Sequence, residues 1–279
     1  MEKIERELAR QLLPSRPRDG HKGTFGRVYV LGGAVGYTGA PVFAGEAAVR
    51  TGSGLVFVGV PKEIYPVVAS RCSIAMAHPL PDTYTALRDR IAACDCAVIG
   101  PGLGRSPETD ALVCRLLQDL QIPVVLDADG INAVAAHIDV LTGRCAPTVV
   151  TPHEGEFLRL GGDLSEGRIQ AAERFAREHG CVLVLKGPET VVADPAGRVR
   201  INTTGNCGMA KGGSGDVLAG MIASLLGQRA DAFDAACCGV WLHGRAGDLC
   251  ARDLTEYAMT PLDMIERLPV VFADLLGAD

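Results

Sequence analysis

Six short apolar runs recur along the chain, and each is rich in Val, Ile or Leu without regular polar alternation. They are VYVLGG (28–33), LVFVGV (55–60), AVIG (97–100), PVVLDA (123–128), TVVTP (148–152) and VLVLK (182–186). Such runs are typical of strands that are buried on both faces, as in a parallel sheet. Segments with helical periodicity separate them, at 41–51, 107–120, 166–179 and 217–226. The order of strand, turn, helix and strand therefore predicts a wound α/β domain.

The pattern changes near Thr190. The runs TVVAD (190–194) and RVRIN (198–202) flank a PAG turn and predict a β-hairpin. Two long helices are expected after it, at about 216–227 and 231–250. We therefore expect a mostly parallel sheet with an antiparallel edge late in the chain. No repeat or low-complexity linker interrupts the 279 residues, so residues 1–279 are expected to form a single domain.

Composition excludes several classes of protein. The formal net charge is −6 and no Lys or Arg run is present, which argues against nucleic-acid binding. The charged amino-terminal segment lacks the apolar core of a secretory signal, and no stretch reaches the roughly 18 apolar residues that a membrane span needs. The ten cysteines form no Cys-x-x-Cys pair, so we interpret them as small buried side chains in a reducing compartment. The chain is expected to be cytoplasmic, without membrane contact and without protein ligands for a metal.

The strongest chemical signal is the segment NCGMAKGGSGDVLAGMIASLLG (206–227). Gly212, Gly213 and Gly215 crowd a turn before a helix that is expected to begin at about Asp216. The free N–H groups and partial positive charge of a helix amino terminus favour phosphate, and small residues let it approach. Lys211 precedes the glycines, so this is not a Walker A loop. Asp216 either caps the helix or takes a proton from a hydroxyl that attacks a phosphoryl group.

Two polar junctions follow other predicted strands. TPHEGEFLRL (151–160) places His153, Glu154 and Glu156 where they either contact a ligand or cap the next helix. GPGLGRSPET (100–109) contains a G-x-G, but its spacing does not match the dinucleotide fingerprint G-x-G-x-x-G. An NAD-dependent dehydrogenase is therefore not favoured.

Two further junctions carry small or acidic residues. The segment 29–48 has small residues around Ala40, which permit either close ligand approach or tight helix packing. LDADGINAV (126–134) places Asp127 and Asp129 after a strand, where simple capping is an alternative to function. Because the carboxyl ends of parallel strands share one edge of a sheet, all five junctions are expected to converge in one crevice.

Together these blocks resemble the NAD(P)H-hydrate dehydratases, the carboxy-terminal domain type of the YjeF family. The matching stretches are GNCGMAKGGSGDVLAGMI, PHEGEFLRL, VIGPGLGR, LDADGINAV and YTGAPVFAGEAAVRTGSGLV, and the resemblance extends from about His21 to about Pro269. It implies a ribokinase-like three-layer α/β/α fold and nucleotide-dependent repair of NADHX and NADPHX, the hydrated forms of the reduced nicotinamide cofactors. It also implies ADP or ATP as co-substrate, Mg²⁺ bound mainly through the nucleotide phosphates, and a separately encoded epimerase as partner. A homo-oligomer is expected.

The resemblance assigns roles residue by residue. Asp216 matches the catalytic acid and is also expected to contact the substrate. The nucleotide contacts that it implies are Lys186, Gly187, Pro188, Glu189, Thr190, Asn206, Gly208, Met209, Ala210, Gly212, Gly213, Ser214 and Gly215. The implied contacts with the hydrated cofactor are Ala40, Gly102, Gly104, His153, Gly155 and Glu156. Ser214 stands where the family often has Thr, and it keeps the hydroxyl.

Two other functions stay open at this point. A different ribokinase-like enzyme, which phosphorylates the hydroxymethyl group of a vitamin precursor, would use the same acid. A non-catalytic nucleotide-binding regulator with this fold would be expected to lack the acid, and Asp216 is present. The PHEGEF block and the small residues near Ala40 favour the dehydratase.

Overall fold

A single sheet of ten strands organises the fold in the computed structural model, which describes residues 2–277. The strands are β1 (Glu2–Lys3), β2 (Arg27–Leu31), β3 (Leu55–Val60), β4 (Met76–Pro79), β5 (Cys96–Ile99), β6 (Val124–Leu126), β7 (Thr148–Val150), β8 (Val182–Leu185), β9 (Thr190–Ala193) and β10 (Val199–Asn202). Their spatial order is β1-β10-β9-β8-β7-β6-β5-β2-β3-β4. From β4 to β8 all neighbours are parallel, whereas β9 is antiparallel to both β8 and β10.

Helices cover both faces of this sheet. They are α1 (Arg6–Gln11), α2 (Gly39–Arg50), α3 (Tyr65–Ala69), α4 (Tyr84–Ala92), α5 (Pro107–Asp119), α6 (Asp129–Val134), α7 (Glu154–Arg159), α8 (Arg168–His179), α9 (Ser214–Gly227), α10 (Ala232–Ala258) and α11 (Pro261–Leu276). Helices α1, α2, α3, α9, α10 and α11 contribute to one hydrophobic core, and α4 to α8 contribute to the other. The architecture is therefore a three-layer α/β/α sandwich.

Side chains of the central strands alternate between the two cores. In β2, Val28 and Val30 belong to the core under α9, while Tyr29 and Leu31 belong to the core on the opposite face. All four are buried. This two-sided burial explains why the strand sequences show no polar alternation.

Helices α2 and α9 approach each other at backbone distance. A β-carbon built at Gly220 of α9 would lie 2.1 Å from the carbonyl oxygen of Ala44 in α2. Small residues in these two helices therefore serve tight packing, which was one of the two interpretations of the segment around Ala40.

The main sequence-based expectations for the fold are confirmed. The six apolar runs form β2, β3, β5, β6, β7 and β8, and the predicted hairpin forms β9 and β10. The hairpin is not the outer edge of the sheet, because β1 pairs with β10 beyond it. Strands β1 and β4 were not predicted, since one has two residues and the other, MAHP, lacks β-branched side chains.

Four helix boundaries differ from the expectations. Helix α2 begins at Gly39 rather than at residue 41, and α9 begins at Ser214 rather than at about Asp216. Helix α8 begins at Arg168 rather than at residue 166. Helix α10 extends to Ala258 rather than ending near residue 250, with a non-helical backbone at Thr255 (φ 68°, ψ 157°).

The burial of the cysteines and the length of the helices can be compared with what the composition predicts. Six of the ten cysteines are buried, but Cys145 and Cys207 are exposed, and all ten are free thiols. Within residues 2–277, every helix is too short or too polar to cross a lipid bilayer.

Candidate active site

Five loops and the amino terminus of α9 meet at the carboxyl-terminal edge of the parallel strands. The loops follow β2, β5, β6, β7 and β8. Helix α9 packs across β2, β5 and β6. A β-carbon built at Gly215, in its first turn, would lie 3.2 Å from Lys186 Nζ and 3.6 Å from Asp127 Oδ2. The convergence expected from the sequence is therefore present.

Asp216 is the acid of this edge. It is the third residue of α9, whose N-cap is Gly213, so Asp216 is not the capping residue. Burial raises the pKa of Asp216 to about 7, and the Asp127 carboxylate adds to the rise while the Lys186 ammonium opposes it. A carboxyl group with a pKa near 7 is suited to accept a proton at neutral pH.

A buried ion-pair cluster lies next to Asp216. Lys186 Nζ donates to Asp127 Oδ1 at 3.0 Å and lies 3.8 Å from Glu156 Oε2. Thr151 Oγ1 also donates to Asp127 Oδ1, at 2.7 Å. Burial acts to lower the pKa of the Lys186 amine, but the two carboxylates outweigh it and the pKa is raised. The cluster therefore holds a fixed ammonium group beside the first turn of α9.

The HEGEF block forms a reciprocal cap at the start of α7. His153 Nδ1 accepts from the Glu156 N–H at 3.2 Å, and Glu156 Oε2 accepts from the His153 N–H at 2.8 Å. The capping interpretation is therefore correct for His153 and Glu156. The His153 ring is exposed at the mouth of the crevice, and Gly155 lies beside it. Contact with a ligand stays a prediction for these residues.

The glycine turn has one position that excludes a side chain, Gly213, and one where a side chain would have a tight contact, Gly215. Gly213 has φ 100°, and a β-carbon there would lie 2.8 Å from the Phe43 ring. Gly215 faces Lys186, as described above. Gly212 has open space on its side. The turn therefore leaves room for an anion at the amino terminus of α9.

A histidine supports this turn from α10. His243 is buried, and its Nε2 donates to the carbonyl oxygen of Ser214 at 2.9 Å. Burial lowers the pKa of His243 to about 4, so the ring is neutral at working pH. His243 therefore fixes the first residue of α9 without adding charge.

The side chains that precede the turn bind within the protein. Asn206 Nδ2 donates to Asp248 Oδ1 at 3.2 Å, and Asn206 Oδ1 accepts from the Gly208 N–H at 3.0 Å. Met209 packs against Gly247 of α10. The side chains of Asn206 and Met209 are therefore engaged within the protein, and nucleotide contact by this segment stays a prediction.

Lys211 and Cys207 are directed toward the end of α10. Lys211 Nζ donates to the carbonyl oxygen of Tyr257 at 2.7 Å. The Cys207 thiol donates to Glu256 Oε2 at 3.1 Å. Lys211 therefore ties the turn to α10 and does not replace the P-loop lysine.

The predicted nucleotide segment 186–190 forms the connection between β8 and β9. Thr190 Oγ1 donates to the carbonyl oxygen of Gly187 at 3.0 Å, which closes the turn. Glu189 adopts a left-handed backbone with φ 56°. Pro188 and Glu189 are exposed, so the segment presents its backbone at the same edge as the glycine turn.

The small residues predicted to contact the hydrated cofactor lie together. A β-carbon built at Gly102 (φ 62°) would lie 3.1 Å from the Ala40 β-carbon and 2.9 Å from that of Tyr37. The Gly104 N–H donates to Asp129 Oδ2 at 2.9 Å. The structure therefore brings the loops after β2, β5 and β6 into contact around these positions.

Sequence reasoning missed three residues of this edge and left two interpretations of Asp127 open. The capping interpretation of Asp127 is wrong, because the N-cap of α6 is Ala128 and Asp127 lies buried in the ion-pair cluster. His243, Asp248 and Arg168 were not singled out. A lone histidine in an apolar helix and an arginine at the start of a helix were the available signals.

The site offers few metal ligands. Across residues 2–277, no group of three or more His, Cys, Asp or Glu side chains is arranged to hold a metal ion. The carboxylates of Asp127 and Glu156 already face the Lys186 ammonium. This donor set fits a Mg²⁺ ion that is carried by nucleotide phosphates and keeps several waters.

One groove of the molecule lies away from this edge of the sheet. A groove of about 830 Å³ lies between α5 and residues 136–143, lined by Asp110, Cys114 and His137 among others. It includes none of the predicted site residues, and chemistry rather than cavity size therefore defines the candidate site.

The sandwich architecture and the G-x-G-D turn at the amino terminus of α9 define a ribokinase-like α/β protein. A solved structure described as the ADP/ATP-dependent NAD(P)H-hydrate dehydratase from Bacillus subtilis, co-crystallised with ATP and Mg²⁺, is similar to this chain. It has 30% sequence identity and a TM-score of 0.85, over 98% of each chain. A protein-family model described as NAD(P)H-hydrate dehydratase matches residues 28–270. The chain belongs to the NAD(P)H-hydrate dehydratase family.

Curated relatives carry related names. The "Bifunctional NAD(P)H-hydrate repair enzyme Nnr" of Moorella thermoacetica is 45% identical over 95% of this chain and 53% of that protein. The "ADP-dependent (S)-NAD(P)H-hydrate dehydratase" of Neisseria meningitidis serogroup B is 38% identical over 84% of this chain and 80% of that protein. The chain spans about half the length of the bifunctional relatives that it matches.

Proposed function

We propose that this chain dehydrates the S epimer of NADHX and NADPHX to NADH and NADPH, with ADP converted to AMP and phosphate. The observation that carries the proposal is an acid with a pKa of about 7, Asp216, set at a helix amino terminus between a glycine turn and the half-buried ammonium group of Lys186. The name of the Neisseria meningitidis relative supports the same reaction and the preference for ADP.

The first step transfers a phosphoryl group to the hydrated ring. The ionised Asp216 takes the proton of the ring hydroxyl, and the hydroxyl oxygen forms a bond to the terminal phosphorus of ADP. The bond from that phosphorus to the bridging oxygen breaks, and its electron pair leaves with AMP. The backbone N–H groups of Gly213 and Gly215 and the partial positive charge of α9 stabilise the charge on the phosphoryl oxygens.

The second step is an elimination. The carbon–oxygen bond to the new phosphate breaks, and phosphate leaves with the bonding electrons. The neighbouring ring carbon loses a proton to solvent, and the ring double bond is restored. Phosphate is a far better leaving group than hydroxide, which is the chemical reason for spending a nucleotide.

The other predicted residues take positions around this reaction. The segments 186–190 and 206–215 hold the nucleotide, mainly through backbone groups. Ala40, Gly102, Gly104, His153 and Gly155 surround the hydrated cofactor. Mg²⁺ bound with the nucleotide supplies neutralisation of phosphate charge. Glu156 takes part by holding Lys186 and His153 in place.

Three further parts of the proposal rest on the family resemblance and on the composition. They are a separate NAD(P)H-hydrate epimerase as functional partner, a cytoplasmic location and a homo-oligomeric assembly.

An assay with purified protein tests the function. The S epimer of NADHX is mixed with the protein and Mg²⁺, and the rise of NADH absorbance is followed with ADP, with ATP and without nucleotide. We expect turnover only with nucleotide, and faster turnover with ADP. Equal turnover without nucleotide would contradict the mechanism, and efficient release of a stable phosphorylated vitamin precursor would favour the kinase instead.

A further inference from the structure

Arg168 is an unusual residue for its place in the chain. It is the first residue of α8, directly after the N-cap Gly167. A cation at this point lies at the positive end of the helix dipole, so the local electrostatic preference opposes it. A residue that breaks a local rule is expected to have a role outside its own helix.

The Arg168 guanidinium binds the backbone of the predicted nucleotide segment. Nη1 donates to the carbonyl oxygen of Pro188 at 2.7 Å, and Nη2 donates to those of Leu185 and Lys186 at 3.0 and 3.1 Å. Three carbonyl oxygens at the end of β8 therefore share one planar cation. A guanidinium group is planar and holds its N–H donors in a fixed fork that fits this arrangement, whereas an ammonium group does not have this fork.

The backbone of Gly187 lies directly against the Arg168 guanidinium. A β-carbon built at Gly187 would lie 2.6 Å from Arg168 Nη2 and 2.9 Å from Cζ. Only a residue without a side chain lets the guanidinium lie against the backbone here. The glycine between Lys186 and Pro188 and the arginine at the start of α8 therefore form one matched contact.

The same side chain reaches the substrate side of the crevice. Arg168 Nε lies 3.3 Å from Glu154 Oε1, the first residue of α7 and the neighbour of His153. This Nε atom is buried, and it has no hydrogen-bond partner within residues 2–277. Arg168 thus links the segment that begins at His153 with the segment 185–188.

We propose that Arg168 is a positioning residue that holds Lys186 beside Gly215 by fixing the backbone of residues 185–188. The inference rests on the proposed function and deepens it. Through Lys186, Arg168 sets both the nucleotide-binding backbone and the positive charge next to Asp216.

The position of the Lys186 ammonium affects the pKa of Asp216. The Lys186 ammonium holds the pKa of Asp216 below the value that burial and the neighbouring carboxylates alone would produce. The charged groups that act on Asp216 are Asp127, Lys186, Asp129 and Glu156, and the nearby His243 is neutral. If the segment 185–188 relaxes, the ammonium moves away and the pKa of Asp216 rises. The acid limb of the pH–rate profile then moves to higher pH.

The test compares Arg168→Gln and Arg168→Lys with a matched control on the same helix. Arg174 also forms ion pairs, with Glu166 and Asp163, but it lies away from the crevice. We expect Arg168→Gln to raise the KM for ADP by about tenfold or more, because three charge-assisted hydrogen bonds are lost. Arg168→Lys should give a smaller rise, and Arg174→Gln should leave the KM for ADP unchanged.

The pH profile separates positioning from simple stabilisation. In both Arg168 variants the acid limb should move to higher pH, while in Arg174→Gln it should stay in place. An unchanged KM for ADP and an unchanged acid limb, with only a lower Tm, would overturn the inference. If Arg168→Gln does not fold, Arg168→Lys provides the same comparison.

ADP affinity, measured by calorimetry, distinguishes failure of the proposed function from failure of the positioning role of Arg168. If the wild-type protein binds ADP but does not convert NADHX, the proposed function fails, and weaker ADP binding in Arg168→Lys still supports the positioning role. If the wild type is active and ADP affinity is equal in all variants, the positioning role fails and the proposed function stands.

Discussion

At the scale of single residues, the site depends on one carboxyl group among several. Asp216 shares the edge with Asp127, which Lys186 and Thr151 hold in place by hydrogen bonds. Asp216 lies close to the same ammonium, but burial and the neighbouring negative charge dominate and raise its pKa to about 7. We therefore propose different tasks for the two carboxyl groups: Asp127 orients the ammonium, and Asp216 exchanges a proton with the substrate.

The residue-scale prediction is that Asp216→Asn removes turnover but preserves the fold. Asn keeps the shape of the side chain and lacks the proton acceptor. General-base catalysis typically contributes about 10²–10⁴-fold, so we expect kcat to fall by at least roughly a hundredfold. ADP binding in calorimetry should persist. Near-normal turnover would refute the role of Asp216 as the base.

The stability of the same variant depends on pH in a defined direction. The folded-state pKa of Asp216 is raised to about 7, above the unfolded value near 4. The stabilising contribution of the protonated group is complete below the unfolded pKa and is lost as pH rises through 7. The Asp216→Asn variant has no carboxyl group to ionise here and does not lose this stability. The difference between its free energy of unfolding and that of the wild type should therefore shift in favour of the variant between pH 5 and pH 8. One pKa unit corresponds to about 1.4 kcal/mol. An identical difference at both pH values would contradict the shifted pKa.

At the scale of elements, the contact between α2 and α9 places the amino terminus of α9. The backbone of α9 at Gly220 lies against the Ala44 carbonyl, and no side chain fits between them. This contact places α9 beside α2, which begins next to Ala40. The distance between the amino-terminal ends of these two helices is therefore set by a packing interaction well inside the molecule.

The element-scale prediction concerns Gly220→Ala. Ala favours a helix over Gly by about 1 kcal/mol, so local propensity alone predicts a more stable protein. The added β-carbon meets the Ala44 carbonyl at 2.1 Å, and overpacking of this kind typically costs about 1–3 kcal/mol. We expect a net loss of stability in denaturant unfolding.

Gly39→Ala is the matched control. Gly39 is also helical, and its built β-carbon would have an ordinary 3.7 Å contact with the Phe43 ring. This variant should be neutral or slightly stabilised. A Gly220→Ala protein as stable as Gly39→Ala would show that the helices are not in backbone contact.

At the scale of the whole molecule, we propose that residues 1–279 behave as one domain. The support is that both hydrophobic cores use alternate side chains of the same strands, as Val28 and Tyr29 do in β2. Separating either helical layer from the sheet would expose the core on that face and remove the support of strands that both cores share. A unit of this kind is expected to unfold cooperatively.

The whole-molecule prediction uses the single tryptophan. Trp241 is buried in α10, in the core under one face of the sheet, so its fluorescence reports on that face. Far-UV circular dichroism reports on helices of both layers. The two signals should change at the same denaturant midpoint, and saturating ADP should raise both midpoints together. Two separated midpoints would contradict a single domain.

The sequence by itself determined eight of the ten strands, the mixed sheet and the glycine turn before Asp216. These features are local: burial on both faces, turn residues and helix periodicity are visible in short windows. The order of the blocks was also sufficient for the resemblance to the NAD(P)H-hydrate dehydratase family. Strand β4 and the end of α10 escaped prediction because their local sequences are weak signals that packing overrides.

Only the tertiary structure decided how the site is charged and held. Lys186 binds Asp127, which lies 59 residues away in the sequence, and Arg168 of α8 donates to the end of strand β8. These contacts depend on which strands are neighbours in the sheet and on where each helix lies along the strands. A short stretch of sequence contains neither kind of information. The pKa of Asp216 follows from the same cause, because burial and the charges around it come from segments that only the folded sheet brings together.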